Sequence, residues 1–145
     1  MRLVKIGLAS VNTTVGATHG NVERALRFAK EMAAADVTVA AYPEQMIGGY
    51  PPEDLIQWQG FVEDQWRALE HFAKETRGQP TVHVLGVAVL HEGLRYGCAA
   101  IVAGGAEPSV TVGGAAFSTS LIPRYFGELR LVGSFVSPQV PYWVL

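Results

Sequence analysis

The sequence predicts an α/β domain built on a mixed sheet, and three observations carry that prediction. Two short apolar segments, "LVKIGLASV" at 3–11 and "VTVAAY" at 37–42, are typical of buried strands. The segment between them has apolar residues at helical spacing, so the unit has the length of a parallel strand–helix–strand crossover. Finally, "TVHVLGVAVL" at 81–90 and "RYGCAAIVAGG" at 95–105 flank turn residues, which favours an antiparallel hairpin.

Two helices are predicted from the spacing of apolar residues. The first follows Asn21, a residue type suited to a helix N-cap. Its apolar stripe comprises Val22, Ala25, Leu26, Ala29, Met32 and Ala33. The second stripe comprises Phe61, Val62, Trp66, Leu69, Phe72 and Ala73. Gly78 and Pro80 are expected to end this second helix.

Length and composition restrict the class of protein. A chain of 145 residues suffices for one ordinary domain. A net charge of −2 provides no electrostatic attraction to nucleic acid or to an anionic membrane. No apolar run approaches the roughly 18 residues that span a bilayer. Cys98 is the sole cysteine, which excludes an intrachain disulfide. We therefore expect a cytoplasmic protein with neither nucleic-acid nor membrane partners.

The segment "YPEQMIGGYPPEDL", residues 42–55, places Glu44 directly after the second predicted strand. Ligands of open α/β sheets bind outside the carboxyl ends of the strands, where Glu44 would lie. Partial shielding from water by Tyr42, Met46 and Tyr50 would suit this carboxylate to general-base catalysis. On position alone, a helix-capping or loop carboxylate is the alternative.

Four motifs follow one another along the chain: "NTTVG" followed by "GN" and a helix, Pro-Glu after a strand, "GYPPEDL", and "HEGLRYGCAAIVAGG". They resemble motifs of the nitrilase, or carbon–nitrogen hydrolase, superfamily. Together they are similar to the glutaminase domain of glutamine-dependent NAD synthetase over about residues 3–105. The resemblance implies a partial, incomplete αββα sandwich. It also implies glutamine as substrate and, in the full-length family member, a homo-oligomer.

The family's catalytic machinery combines glutamate, lysine and cysteine. The glutamate deprotonates the cysteine, the thiolate attacks the glutamine amide, and the lysine stabilises the oxyanion. The resemblance implies no cofactor for this domain, whereas ATP and nicotinic acid adenine dinucleotide would be used by the synthetase domain. By its place in the motif, Glu44 maps to the general base.

The other two members of the catalytic set do not map onto this chain. All three lysines, Lys5, Lys30 and Lys74, precede the fourth strand, whereas the family lysine follows it. Cys98 lies inside that strand and outside any Cys-Glu-Asp context, so we expect it to pack as a small apolar residue.

A later segment, "TSLIPRYFGELR", is similar to the family's Leu-Pro-x-Tyr and Phe-Asp-Glu-x-Arg segments. It would place Tyr125 in contact with glutamine and Thr119 where the lysine belongs. The alternative is a chance match, because charged residues become sparse after residue 105. We therefore predict the N-terminal part of a carbon–nitrogen hydrolase domain over 1–105 and a divergent or frameshifted, poorly ordered tail over 106–145. Within that tail, "SVTVGGAAFS" suits short strands.

Other chemistry receives little support. The histidines His19, His71, His83 and His91 lack metal-ligand spacing, so no metal is predicted. The function predicted is a fragment of a glutaminase domain that releases ammonia from glutamine for NAD synthesis in the full-length protein and is inactive as this chain. The alternative is a non-catalytic, degenerate nitrilase relative that acts as a binding or assembly module.

Overall fold

A computed structural model describes residues 4–91, 93–104, 109–112 and 115–117. In this part of the chain, two helices accompany a sheet whose strands are arranged in chain order. The strands are β1 (Ile6–Leu8), β2 (Val39–Ala41), β3 (Val82–His91), β4 (Leu94–Ala103), β5 (Ser109–Val112) and β6 (Ala115–Phe117). The helices are α1 (Thr18–Ala34) and α2 (Gln59–Glu75), and a short 3-10 helix covers Glu53–Gln57.

The sheet is mixed, as predicted. β1, β2 and β3 run parallel to one another, with Ile6 opposite Val39 and Val39 opposite Val82. β3 and β4 form the predicted antiparallel hairpin over their full length, and β5 and β6 continue the antiparallel half. The strand structure expected within "SVTVGGAAFS" is therefore confirmed, in the form of two short strands.

The bounds of β1 and the start of α1 differ most from the predictions, whereas those of β2, β3 and β4 differ by one or two residues. β1 covers three residues because the last bond to β2 runs from Ala9 N to Ala41 O (2.9 Å), after which the chain turns away from the sheet. α1 begins at Thr18, so the expectation that Asn21 caps this helix is wrong. Asn21 lies in the first turn, where its backbone N–H already bonds Ala17 O (2.8 Å) and its side chain is buried.

The core lies between the sheet and the two helices. The core consists of the inward residues of α1 and α2, alternating residues of β3 and β4, and two residues of the loop after β2. Its largest buried members include Met46, Ile47, Leu69, Phe72 and Leu85. Side chains of β1 on the opposite face stay open to solvent, with Ile6 66% and Leu8 79% exposed. The described part of the sheet is thus covered on the helix side.

Neither α1 nor α2, nor any other helix in the described ranges, has the length and hydropathy needed to span a membrane.

Candidate functional site

Glu44 lies just beyond the carboxyl end of β2, where its backbone crosses β3 at Gly86. The Gly86 N–H donates to Pro43 O (3.3 Å), and the Ile47 N–H donates to Gly86 O (3.3 Å). A Cβ atom at position 86 would lie 2.5 Å from Gln45 N and 2.7 Å from Glu44 Cα, closer than real Cβ contacts. The absence of a side chain at Gly86 therefore lets the Glu44 backbone rest against the sheet.

The loop after Glu44 is held in an irregular conformation. Gln45 adopts a left-handed backbone conformation (φ 51°), which is uncommon for a residue with a Cβ atom. The Gly49 N–H donates to Gln45 O (2.7 Å), and Gly49 itself has φ 84°. Met46 and Ile47 are fully buried and anchor the loop to the core. Glu44 thus stands on a loop fixed at both of its ends.

An open groove of about 330 Å³ lies beside Glu44. One wall follows β1 and the other follows β2, so both come from the carboxyl ends of neighbouring parallel strands. The lining residues are Val11, Asn12, Thr13, Pro43, Glu44 and Tyr50. This is the position where open α/β sheets bind ligands.

The expectation that Tyr42 and Met46 shield Glu44 is wrong, because the loop directs these side chains elsewhere. Glu44 is exposed, whereas Met46 is fully buried in the core. Tyr42 packs edge-on against Phe72 on the helix side of the sheet. Of the three residues expected around the carboxylate, Tyr50 is the one that lines the groove with it.

Cys98 packs in the core, as predicted. Its side chain is 5% exposed among core residues of β4, and its Sγ lies 3.8 Å from Tyr96 O. Burial raises the pKa of the Cys98 thiol to about 12, which keeps it protonated at neutral pH. A protonated, buried thiol is a poor nucleophile.

Lys5 lies at the opposite, amino-terminal end of β1, where its Nζ donates to Ala35 O (2.6 Å). Lys30 and Lys74 belong to α1 and α2, and neither lines the groove. Glu44 is thus the member of the predicted catalytic set that the described residues place at the groove. Tyr125 and Thr119 lie outside the described residues.

The histidines occupy separate places. His83 is buried between Tyr42 and Gln79, and its ring nitrogens contact Tyr42 Oη and Gln79 Oε1, each at 3.2 Å. His71 Nε2 lies 3.4 Å from Glu23 Oε1 on the helix surface. Within the described ranges, no three His, Cys, Asp or Glu side chains are grouped closely enough to hold a metal ion.

Sequence reasoning missed the part played by Asn21, whose side chain bonds the backbone of both groove walls. It also missed Asn12 and Thr13 as lining residues. The motifs "NTTVG" and "GN" contain these residues and could have identified them, but the motifs were used only for the resemblance and not for a structural role.

Comparison with known proteins gives a consistent picture, although no protein-family model matches the chain. A glutamine-dependent NAD(+) synthetase of Thermotoga maritima is 32% identical over 90 residues, covering 62% of this chain and 15% of the relative. That of Xanthomonas campestris pv. campestris is 36% identical over 78 residues, covering 52% and 14%. The chain therefore spans less than a fifth of the length of these relatives.

Solved structures agree with these sequence relatives. The chain is similar to a glutamine-dependent NAD(+) synthetase from Cytophaga hutchinsonii, with a TM-score of 0.68 and 27% identity over 77% of this chain and 19% of that one. A nitrilase-superfamily amidase from Nesterenkonia shares the fold at a TM-score of 0.61 and 17% identity, over 80% of this chain and 42% of that one. In its N-terminal part the chain is therefore homologous to the glutamine-dependent NAD(+) synthetases, within the fold that nitrilase-superfamily amidases share.

Proposed function

We propose that this chain is the N-terminal part of a glutaminase domain, and that the full-length protein hydrolyses glutamine to supply ammonia for NAD synthesis. The observation that carries the proposal is the position of Glu44, which combines the Pro-Glu and "GYPPEDL" motifs with an open groove at the carboxyl edge of parallel strands. Relatives named as glutamine-dependent NAD(+) synthetases support glutamine as the substrate. We place the full-length protein in the cytoplasm as a homo-oligomer.

In the proposed reaction, Glu44 takes the proton of a cysteine thiol that another segment of the full-length protein provides. The thiolate attacks the side-chain amide carbon of glutamine, ammonia leaves with the transferred proton, and water then releases glutamate from the thioester. A lysine from the same missing region would stabilise the oxyanion. The exposed position of Glu44 in an open groove leaves room for these partners to approach. ATP and nicotinic acid adenine dinucleotide would be used by the separate synthetase domain.

The 145-residue chain by itself is expected to release no ammonia from glutamine. A general base without its nucleophile and oxyanion stabiliser retains little of the rate of a cooperative catalytic set. The purified chain and its Glu44→Gln variant should therefore give the same background in a coupled ammonia assay. Ammonia release that disappears in the Glu44→Gln variant would show that the chain is catalytically complete.

The decisive experiment is to sequence the gene and its downstream region and to translate all frames. We expect a Lys-x-x-Leu-Pro segment and a Cys-Glu-Asp segment, whose restoration yields a glutaminase. In that restored protein, Glu44→Gln should lower kcat at least about 100-fold, since general-base catalysis contributes at least that factor. Glu63→Gln, an exposed change on α2, is the matched control and should leave kcat unchanged. Full activity of the Glu44→Gln protein would contradict the proposal.

A second candidate is a non-catalytic relative that acts as a binding or assembly module. The exposed apolar side chains of Ile6 and Leu8 on β1 favour it, because such a surface can bury area against a partner. Downstream DNA without either catalytic segment, together with stable partner binding by the purified chain, would select this candidate.

A further inference from the structure

Asn21 is a fully buried amide whose two ends both bond the loops around the groove. Its Oδ1 accepts from the Thr14 N–H (2.9 Å) and from Arg24 Nη1 (2.8 Å). Its Nδ2 donates to Thr14 O (2.8 Å) and to Ile47 O (2.9 Å). Because each end meets partners of a single kind, two donors or two carbonyl acceptors, the orientation of the amide is fixed.

These bonds connect the two walls of the groove. Thr14 directly follows the wall formed by residues 11–13, and Ile47 lies in the loop that bears Glu44. The walls also meet through the Gly16 N–H, which donates to Gly48 O (3.0 Å). A Cβ atom at Gly49 would lie 2.6 Å from Val15 Cα, so the two backbones are already in close contact.

We propose that Asn21 is a positioning residue that holds the two groove walls at a fixed separation and thereby sets where Glu44 stands relative to Asn12 and Thr13. Its catalytic meaning rests on the proposed glutaminase function, whereas its structural role does not. Neither alanine nor aspartate can make the hydrogen bonds of Asn21. Asn21→Ala leaves the Thr14 N–H, Thr14 O and the buried Ile47 O without their partner, and Asn21→Asp places a carboxylate oxygen against two carbonyl oxygens.

Amide hydrogen exchange of the 145-residue chain, followed by NMR, tests the structural role directly. The Gly16 amide reports on the bond between the walls, and the Ala9 amide, bonded to Ala41 O, reports on the adjoining sheet edge. Asn21→Ala and Asn21→Asp should each lower the protection of Gly16 at least about tenfold, since losing several hydrogen bonds of a fully buried amide costs more than about 1.4 kcal/mol. The protection of Ala9 should fall less.

The control variant is Thr81→Val, which removes a buried hydrogen bond to Val37 O (2.8 Å) at the other end of the strands. This change lowers overall stability without touching either wall. The protection of Gly16 relative to Ala9 should therefore stay as in the parent chain.

A change of pH separates positioning by hydrogen bonds from bulk packing. In the Asn21→Asp variant, a carboxyl group that becomes protonated can again donate one hydrogen bond to a carbonyl, which the Asn21→Ala variant cannot do at any pH. Gly16 protection in the Asn21→Asp variant should therefore recover in part between pH 7 and pH 5, relative to Asn21→Ala at the same pH.

Two results of the exchange experiment would overturn the proposal: unchanged Gly16 protection in both Asn21 variants, or an equal loss at Gly16 and Ala9. In the restored full-length protein, the Asn21→Asp change should lower kcat about tenfold or more with a smaller effect on KM, because a displaced base affects the chemical step. A loss confined to KM would contradict the positioning role. The exchange experiment uses no glutamine, so failure of the proposed glutaminase activity leaves its outcome intact and the two failures are distinguishable.

Discussion

Gly86 lets the Glu44 loop approach the sheet closely, and this makes position 86 sensitive to substitution. The three nearest atoms that a Cβ atom would meet there all belong to the backbone, including Pro43 O at 2.6 Å, and no side-chain rotation relieves these contacts. Gly86→Ala should therefore lower the free energy of unfolding by about 1–3 kcal/mol, the range for overpacking. Urea denaturation measures the change. Gly60→Ala on α2, where a Cβ atom meets nothing within 4 Å, should be neutral or stabilising.

His83 is expected to make the fold less stable in mild acid. Burial lowers the pKa of His83 from 6.5 to about 4, so the unfolded chain takes up a proton between these values and the folded chain does not. A neutral ring that donates from Nε2 to Gln79 and accepts at Nδ1 from Tyr42 satisfies both contacts. The contribution of His83 to the free energy of unfolding is thus fully present above pH 6.5 and is lost as the pH falls toward 4.

Between pH 7 and pH 5 the free energy of unfolding should fall by about 2 kcal/mol on account of His83. Thermal or urea denaturation at the two pH values measures this slope. A His83→Gln variant should lose most of it, whereas His71→Gln, a change at the partly exposed histidine beside Glu23, should keep it. Equal slopes in the parent and His83→Gln proteins would contradict the assignment.

At the scale of elements, the helices and strands could be predicted from the spacing of apolar residues, because each element buries one face against the core. Their boundaries depended on distant partners that local pattern does not record. Asn21 resembles a cap by residue type, but its side chain bonds Ile47 O, 26 residues away, and α1 begins before it. Glu44 could be located because a strand end and a motif coincide there. The exposure of Glu44 could not be predicted, because the local pattern does not record the left-handed backbone that Gln45 adopts directly after it.

Gln65 shows how α2 is joined to the sheet. Its Oε1 accepts from the Ala88 N–H of β3 (2.9 Å), and its side chain fills the space that a Cβ atom at Gly48 would enter. Gln65→Leu leaves the buried Ala88 N–H without its acceptor, so we expect a loss of about 1–3 kcal/mol in the free energy of unfolding. Gln59→Leu, an exposed change on the same helix, should alter it by less than about 0.5 kcal/mol. Similar losses for both variants would show that the Ala88 bond contributes little.

For the whole molecule, the reactivity of Cys98 links folding to function. The thiol is buried in the central hairpin strand β4, and its raised pKa of about 12 leaves only about one part in ten thousand as thiolate at pH 8. Iodoacetamide should therefore label it only when the chain unfolds. Labelling under native conditions should be slow, and denaturant should accelerate it to the rate of a free thiol.

The same labelling rate provides a quantitative check, because Cys98 is the sole cysteine in the sequence. If modification requires global opening, its rate follows the unfolding equilibrium, and each 1.4 kcal/mol of destabilisation accelerates it about tenfold. Gly86→Ala should then speed labelling by the factor that urea denaturation gives, and Gly60→Ala should not. Rapid labelling of the folded parent chain would instead identify Cys98 as an accessible, activated thiol, and the view that the nucleophile lies in another segment would have to be abandoned.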